Sequence, residues 1–133
     1  MISLRSVRQK IREVLLNSGA VTSDIIAFEG RQFDYNDLEL WLQEHIMIID
    51  NTPLDDCPQE GLSIIANYNV FYKKGFGTEI LEDKAVEICN AFVVGSIVDI
   101  GTFKGVVTKS RTQTIQADDD FNFIPCQIYF SII

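Results

Sequence analysis

The stretch that decides the fold runs from Gly61 to Phe92 and reads GLSIIANYNVFYKKGFGTEILEDKAVEICNAF. Residues 62–72 are rich in β-branched and aromatic side chains, which favour a strand. The basic pair and the Gly-Phe-Gly segment at 73–77 predict a turn. Thr78 is of a type favoured at helix N-caps, and the residues after it predict a helix. Its buried stripe has helical spacing and comprises Leu81, Ala85, Ile88, Cys89 and Phe92.

The segment before this stretch predicts one helix and two strands. Residues 2–18 form an amphipathic pattern whose apolar face holds Leu4, Val7, Ile11, Val14 and Leu15. The IIAF run at 25–28 suggests a short strand that ends in a Glu29-Gly30 turn. Residues 38–50 fit a helix capped by Asp37 as well as a strand of period two. The isoleucine-rich second half favours the strand.

The segment after it predicts several strands. SIVDI at 96–100 and GVVTK at 105–109 are separated by glycines, a polar segment follows at 110–120, and the apolar residues 121–133 predict a terminal strand. Pro125 indicates that its part of this strand lies at a sheet edge or in a bulge. The order of elements predicts one α+β domain over 1–133, with a mainly antiparallel sheet and two helices packed on one face.

Composition narrows the classes of function. The chain has 133 residues and a net charge of −8, which argues against a protein that grips nucleic acid phosphates. The same charge suits a lumen through which DNA passes without sticking. The three cysteines, Cys57, Cys89 and Cys126, form no CxxC motif, so we expect buried or half-buried thiols in a reducing cytoplasm. Neither a signal peptide nor a membrane span is expected.

No catalytic constellation is recognisable, and we expect neither enzyme activity nor a metal or cofactor. The only histidine, His45, has no second ligand or nucleophile beside it; an enzyme using it with Asp50 or Cys57 is conceivable but unsupported. The Gly75-Phe76-Gly77 segment lacks the third glycine of a dinucleotide site. Three consecutive aspartates, Asp118-Asp119-Asp120, cannot all face one cation, so we interpret them as a solvated loop tip.

The charged segments are better explained as interaction surfaces. The first helix carries Arg5, Arg8, Lys10 and Arg12 against Glu13 alone. This face is either simply solvated or contacts an acidic partner, such as a neighbouring copy of this chain. The proline-containing loop at 51–61 is acidic and has no basic residue. Patches of opposite charge on one chain permit head-to-tail contacts, which close into rings.

The order of segments resembles the tail terminator family, or minor tail protein U-like family, of long non-contractile bacteriophage tails. The features that carry the resemblance are a short chain that begins with an amphipathic helix, then IIAFEGRQF, LWLQEHIMI, LSIIANYNVFYKKG, the FGT turn into TEILEDKAVEICNAF, and the last strand FNFIPCQIYF. Members often carry a Pro-Phe segment where this chain has Gln32-Phe33-Asp34. A neighbouring ring protein of the head–tail joint therefore stays an alternative, as does a small non-enzymatic ligand-binding module.

The resemblance implies a structural virion protein, assembled in the host cytoplasm and placed at the head-proximal end of the tail. It implies a homo-hexameric ring that caps the tail-tube protein, ends tube polymerisation and joins the head connector, without a cofactor. DNA would only pass through its lumen. We expect the acidic loops to face the lumen or the tube, and these contain Asp55, Asp56, Asp118, Asp119 and Asp120. We expect the basic residues to contact the neighbouring subunit or the tube, and these are Arg5, Arg8, Arg12, Lys73 and Lys74.

Overall fold

A strongly bent sheet with two helices on one side makes up the fold of this chain. The computed structural model describes residues 3–50, 62–100 and 103–133. The helices are α1 (Leu4–Asn17) and α2 (Glu79–Asn90), and a 3-10 turn covers Ser23–Ile25. The strands are β1 (Ile26–Ala27), β2 (Leu40–Asp50), β3 (Leu62–Lys73), β4 (Ile97–Ile100), β5 (Phe103–Thr112), β6 (Gln116–Ala117) and β7 (Phe121–Ile132).

The sheet has the order β1-β2-β3-β7-β5-β4, with β6 paired to β7. Every pairing is antiparallel except that of β1 with β2, which is parallel. The predicted α+β class with a mainly antiparallel sheet is therefore confirmed. β3 lies in the middle and pairs along eleven residues with β2 and along eleven with β7. The stretch that opened the sequence analysis thus supplies the central strand.

Both helices cover the same face of the sheet. The even-numbered side chains of β3 point to this face and are buried, among them Ile64, Ala66, Tyr68 and Val70. They share one apolar cluster with residues of both helices: Val7, Ile11 and Leu15 of α1, and Leu81, Ala85, Ile88 and Cys89 of α2. Each fully buried valine, leucine or isoleucine side chain contributes about 1.5–3 kcal/mol to the stability of the fold. This face is the core of the protein.

α2 forms as predicted, with every residue of its expected stripe buried. The turn before it depends on two glycines, Gly75 and Gly77, whose φ angles are +94° and +78°. These values lie in the left-handed region, where glycine is far less strained than other residues. Thr78 is the N-cap, but its side chain makes no capping hydrogen bond. The helix therefore begins at Glu79 without a side-chain cap.

β2 is a strand, as the isoleucine-rich half of the segment favoured. Its even-numbered side chains, such as Leu42 and Ile46, are buried on the helix side, and the odd-numbered His45 and Met47 are exposed on the other. If these residues formed a helix, all of their pairing with β3 would be lost. The acidic loop that follows, with Cys57, Asp55 and Asp56, lies outside the described residues.

The IIAF strand prediction is correct only in part. Ile25 ends the 3-10 turn, and the strand is limited to Ile26 and Ala27. The chain leaves the sheet at Phe28 because the predicted turn follows at once, with Gly30 at a φ of +76°. This turn places Glu29 beside β2, where its carboxylate accepts a hydrogen bond from the backbone N–H of Ile46.

Pro125 lies in β7, an interior strand between β3 and β5, and the predicted irregularity takes the form of a break in the pairing on one side of the strand. The carbonyl of Pro125 accepts a hydrogen bond from the backbone N–H of Gln113 at 2.9 Å. In an antiparallel ladder the nitrogen of a residue faces the same neighbour as its carbonyl. The β5 ladder ends at Thr112 and β6 begins at Gln116. The proline nitrogen, which has no hydrogen, therefore faces a break in the pairing.

Two cysteines of the described residues, Cys89 and Cys126, are buried free thiols. They contact each other between α2 and β7. A hydrogen bond between the two thiols lowers the pKa of Cys89, and that bond together with burial raises the pKa of Cys126. Neither described helix is long and apolar enough to cross a membrane.

Candidate functional site

One carboxylate is buried in the core, and it holds α1 against the sheet. Glu44 of β2 is 2% exposed. Arg12 of α1 donates from Nε to both of its oxygens at 3.0 Å, and the Tyr68 hydroxyl donates at 3.0 Å. The hydrogen bond with Glu44 raises the pKa of Arg12. Burial, followed by the nearby Glu44 charge, raises the pKa of Tyr68 well above its usual value.

A second carboxylate, Glu29, ties the 28–31 turn to the edge of β2. It accepts from Arg8 at 3.2 Å and from the backbone N–H of Ile46, and it lies 3.3 Å from Nδ1 of His45. His45 and Glu44 lie on opposite faces of β2, because successive side chains of a strand alternate. The His45 side chain is exposed, and its ring contacts Glu29 at the strand edge.

A groove of about 640 Å³ lies between α1 and residues 23–31. We call it the arginine groove, and its charged walls are Arg5, Arg8, Arg12, Arg31, Glu13 and Glu29. The sequence prediction placed the first three arginines together, and the structure does so. Arg8 and Arg12 are engaged within the chain by Glu29 and Glu44, however. That leaves Arg5 exposed, while Arg31 lies 5.4 Å over the Phe28 ring.

The internal partners of these arginines were missed from the sequence. The available signal was Glu44 itself, because it alternates with Leu42 and Ile46 on the apolar side of a strand. A charge at such a position requires a partner of opposite sign. Which arginine supplies it depends on how α1 crosses the sheet, and the sequence does not contain that information locally.

The predicted basic pair and the predicted acidic tip are neighbours. The backbone N–H of Lys74 donates to the carbonyl of Asp120 at 3.1 Å, and that of Lys73 donates to Glu39 at 3.0 Å. A cleft of about 560 Å³ opens at this end of the sheet, and its lining includes Asp37, Glu39, Lys73, Lys74, Asp119 and Asp120. Across the described residues no ion pair joins these lysines to these carboxylates. We call this surface the acidic end.

Beside the acidic end, aromatic side chains stack on the sheet face opposite the helices. Trp41 lies between Tyr35, with ring centroids 4.7 Å apart, and Phe71, at 4.2 Å. Phe121 meets Trp41 edge-on at 5.9 Å. Trp41 is 8% exposed, and its buried Nε1–H has no hydrogen-bond acceptor in the described part of the chain. We call these four residues the aromatic cluster.

The aromatic cluster was not anticipated as a unit, although its strand residues share a face. Trp41 is directly opposite Phe71, and Phe71 is directly opposite Phe123. These are odd-numbered positions, so they point away from the core. Beyond the aromatic cluster this face is mixed. His45, Asn67, Gln127 and Arg111 form one polar row across the sheet, and Met47, Ile65 and Tyr129 form a row of larger side chains beyond it.

The arginine groove and the acidic end are distinguished by their charged side chains. The described residues contain no group of three potential ligands arranged to hold a metal ion. The ion pairs of Arg8 with Glu29 and of Arg12 with Glu44 fasten α1 to the 28–31 turn and to β2. The arginine groove and the acidic end remain as surfaces that a charged partner can reach.

Comparison with known proteins supports the fold. No family model matches the chain, and no curated protein matches it. A solved structure, whose name is a serial identifier without a description, aligns with 100% of this chain and 97% of its own. Its TM-score is 0.78 and its sequence identity is 16%. At this identity the likeness shows the fold alone.

Proposed function

We propose that this protein is a structural subunit that assembles head-to-tail into a ring and caps the tube of a bacteriophage tail. The observation that carries the proposal is the separation of two complementary surfaces. The arginine groove and the acidic end share no residue, and in the described part of the chain no ion pair joins them. Each surface is therefore available to the opposite surface of another copy.

Contact between different patches on identical subunits is heterologous. Such a contact repeats with a fixed rotation, and it closes into a ring when the rotation allows. The ion pairs formed between these two surfaces would lie at the exposed rim of the interface. Such pairs favour the encounter of two subunits and fix its orientation more than they add affinity. This agrees with a subunit that is a monomer or a weak oligomer until it docks on a tube.

The tail role rests on the resemblance in segment order and on the α+β fold. In this role the ring is a hexamer, its partners are the tail-tube protein and the head-completion or connector protein, and it resides in the virion. A net charge of −8 lets DNA slide through the lumen with little adhesion. The role requires neither catalysis nor a cofactor.

Electron microscopy and tube-length measurements together test this proposal. In negative stain at high protein concentration, or with tail-tube protein, we expect rings with a central hole. When the protein is added to polymerising tube protein, we expect shorter tubes with one capped end. Asp120→Lys should weaken ring formation because it reverses charge at the acidic end. Asp99→Lys, an equal charge change at the exposed edge strand β4, is the matched control.

A protein that stays monomeric at every concentration, with and without tube protein, would contradict the ring. Rings that leave tube length unchanged would contradict the capping role, and they would favour another ring of the head–tail joint. A purified protein that binds a small molecule in place of tube protein would favour the ligand-binding alternative.

A further inference from the structure

A narrow cleft joins the aromatic cluster to the acidic tip. It has a volume of about 280 Å³ and is lined by the aromatic cluster on one side and by Asp118, Asp119 and Asp120 on the other. Aromatic walls and carboxylates side by side form an environment that suits a cation carried on a flat or apolar group. We call it the aromatic–acidic cleft.

The buried indole of Trp41 is an independent indication that something completes this cleft. Its Nε1–H is shielded from solvent, yet it has no acceptor in the described part of the chain. Burying an unpaired donor costs about 1–3 kcal/mol. Tyr35, which stacks on Trp41, is 43% exposed and belongs to the loop before β2.

The group that fits the cleft best is a guanidinium. It is planar, so it stacks on the outer face of Tyr35, and it donates two parallel hydrogen bonds to a carboxylate. A lysine ammonium offers only a compact charge without the stacking surface. The carboxylates of Asp119 and Asp120 are exposed and have no ion-pair partner among the described residues.

One arginine of this chain is free to supply that group. Arg8 and Arg12 are paired with buried or half-buried glutamates, and Arg31 and Arg111 lie over the rings of Phe28 and Tyr129. Among the arginines of the described residues, only Arg5 has no ion pair and no ring contact. It is exposed in the first turn of α1, at the mouth of the arginine groove.

We propose that the aromatic–acidic cleft is the docking site for the Arg5 side chain of a second copy of this chain. The inference rests on the proposed ring and names its contact. Arg5 of one subunit pairs with Asp119 and Asp120 of the next subunit. The acidic tip of this second subunit then faces the arginine groove of the first. Each subunit offers one cleft and one Arg5. In a closed ring every subunit therefore makes two contacts, one through its Arg5 and one through its cleft.

Self-association of full-length variants is the first test. Arg5→Gln and the double variant Asp119→Asn/Asp120→Asn should each weaken association by about tenfold or more, since each removes a charged hydrogen-bonding partner. Arg111→Gln removes an exposed arginine elsewhere and is the matched control. In a 1:1 mixture of the two defective proteins, one contact can still form. We therefore expect light scattering to show heterodimers that do not grow into rings.

The second test observes the cleft directly. The chain contains a single tryptophan, so the indole N–H signal of Trp41 in an ¹H–¹⁵N spectrum reports on this site alone. A blocked peptide with the sequence of residues 3–12 should shift that signal. The same peptide with citrulline in place of Arg5 has nearly the same shape without the charge, and it should not.

The outcomes separate this inference from the ring proposal. Rings that form equally well from Arg5→Gln protein would overturn the inference and leave the ring standing. A Trp41 signal that shifts with the arginine peptide in a protein that never forms rings would uphold the cleft and overturn the ring. An equal shift with the citrulline peptide would show that charge does not direct the contact.

Discussion

The most informative single residue is Glu44, a carboxylate in the core that anchors α1 through Arg12. A buried ion pair adds little net stability, but removing one partner leaves an unpaired buried charge. The side chain of Glu44 is shielded from solvent, so water does not compensate for such a loss. Its function is to fix where the helix crosses the sheet.

We predict that Glu44→Ala lowers the free energy of unfolding by about 3–5 kcal/mol, because Arg12 and the Tyr68 hydroxyl lose their shared acceptor. Urea denaturation measures this. Glu13→Ala is the control: Glu13 lies on the exposed side of the same helix, where it pairs with Lys10 at 3.5 Å, and its loss should change stability by less than about 0.5 kcal/mol. A Glu44 variant as stable as the control would show that α1 is held by apolar contacts alone.

Tyr68 gives a pH-dependent prediction. Its pKa in the folded protein is raised by burial and by Glu44, whereas an unfolded tyrosine ionises near pH 10. Above about pH 10 the unfolded chain therefore loses a proton that the folded chain keeps. The stability that Tyr68 contributes is complete below about pH 10 and declines by about 1.4 kcal/mol per pH unit above it.

The comparison with Tyr68→Phe isolates this effect, because the other tyrosines are the same in both proteins. At pH 9 the wild type should be the more stable of the two, owing to the hydrogen bond with Glu44. We expect the difference in unfolding free energy to shrink as the pH rises from 9 to 11.5. A constant difference across this range would mean that Tyr68 ionises equally in both states.

At the scale of elements, the best-predicted features were those that repeat along the chain. α2 and its stripe follow from the spacing of Leu81, Ala85 and Ile88, and β3 follows from its run of β-branched and aromatic residues. Both patterns are local, and both match the period of the element that forms. The part of IIAF that failed to become strand, and the interior position of Pro125, depend on which neighbour each segment meets.

The start of α2 can be tested with two adjacent substitutions. Gly77→Ala should destabilise the protein by about 1–2 kcal/mol, because φ is +78° there and an alanine is strained at that angle. The space around Gly77 is open, with no atom within 4 Å of an added Cβ, so backbone strain is the cause. Thr78→Ala should cost less than about 0.5 kcal/mol, since the threonine makes no capping bond. Thermal unfolding followed by circular dichroism compares the two.

The reverse order of effects would change our view of this turn. If Thr78→Ala were the more costly substitution, the hydroxyl would have to cap the helix in solution. The direction of the chain into α2 would then be set by the cap, and the two glycines would be secondary.

On the scale of the whole molecule, the sheet has two different faces. One is apolar and closed by both helices, and the other is open, with mixed polar and apolar rows and the aromatic cluster at one end. The arginine groove borders the closed face, and the acidic end with its cleft borders the open one. An asymmetric subunit of this kind is suited to contacts between unlike surfaces, which is the requirement for a ring.

This view also revises the interface predicted from charge alone. Arg5, Arg8 and Arg12 formed one basic group in the sequence, but two of them serve the inside of the subunit. Lys73 and Lys74 lie next to the acidic tip, so they moderate its charge locally. Arg5 is therefore the arginine of this group that is available to a neighbour.

The sequence by itself determined the class of fold, because helical spacing in α2 and the composition of β3 act over a few residues and need no distant partner. Only the tertiary structure decided the identity of the charged surfaces. The pairing of Arg12 with Glu44, the stack of Tyr35 on Trp41 and Phe71, and the contact of Lys74 with Asp120 join segments far apart in the chain. Each depends on strand register and on the path of α1 across the sheet, and these are set by the packing of the whole core.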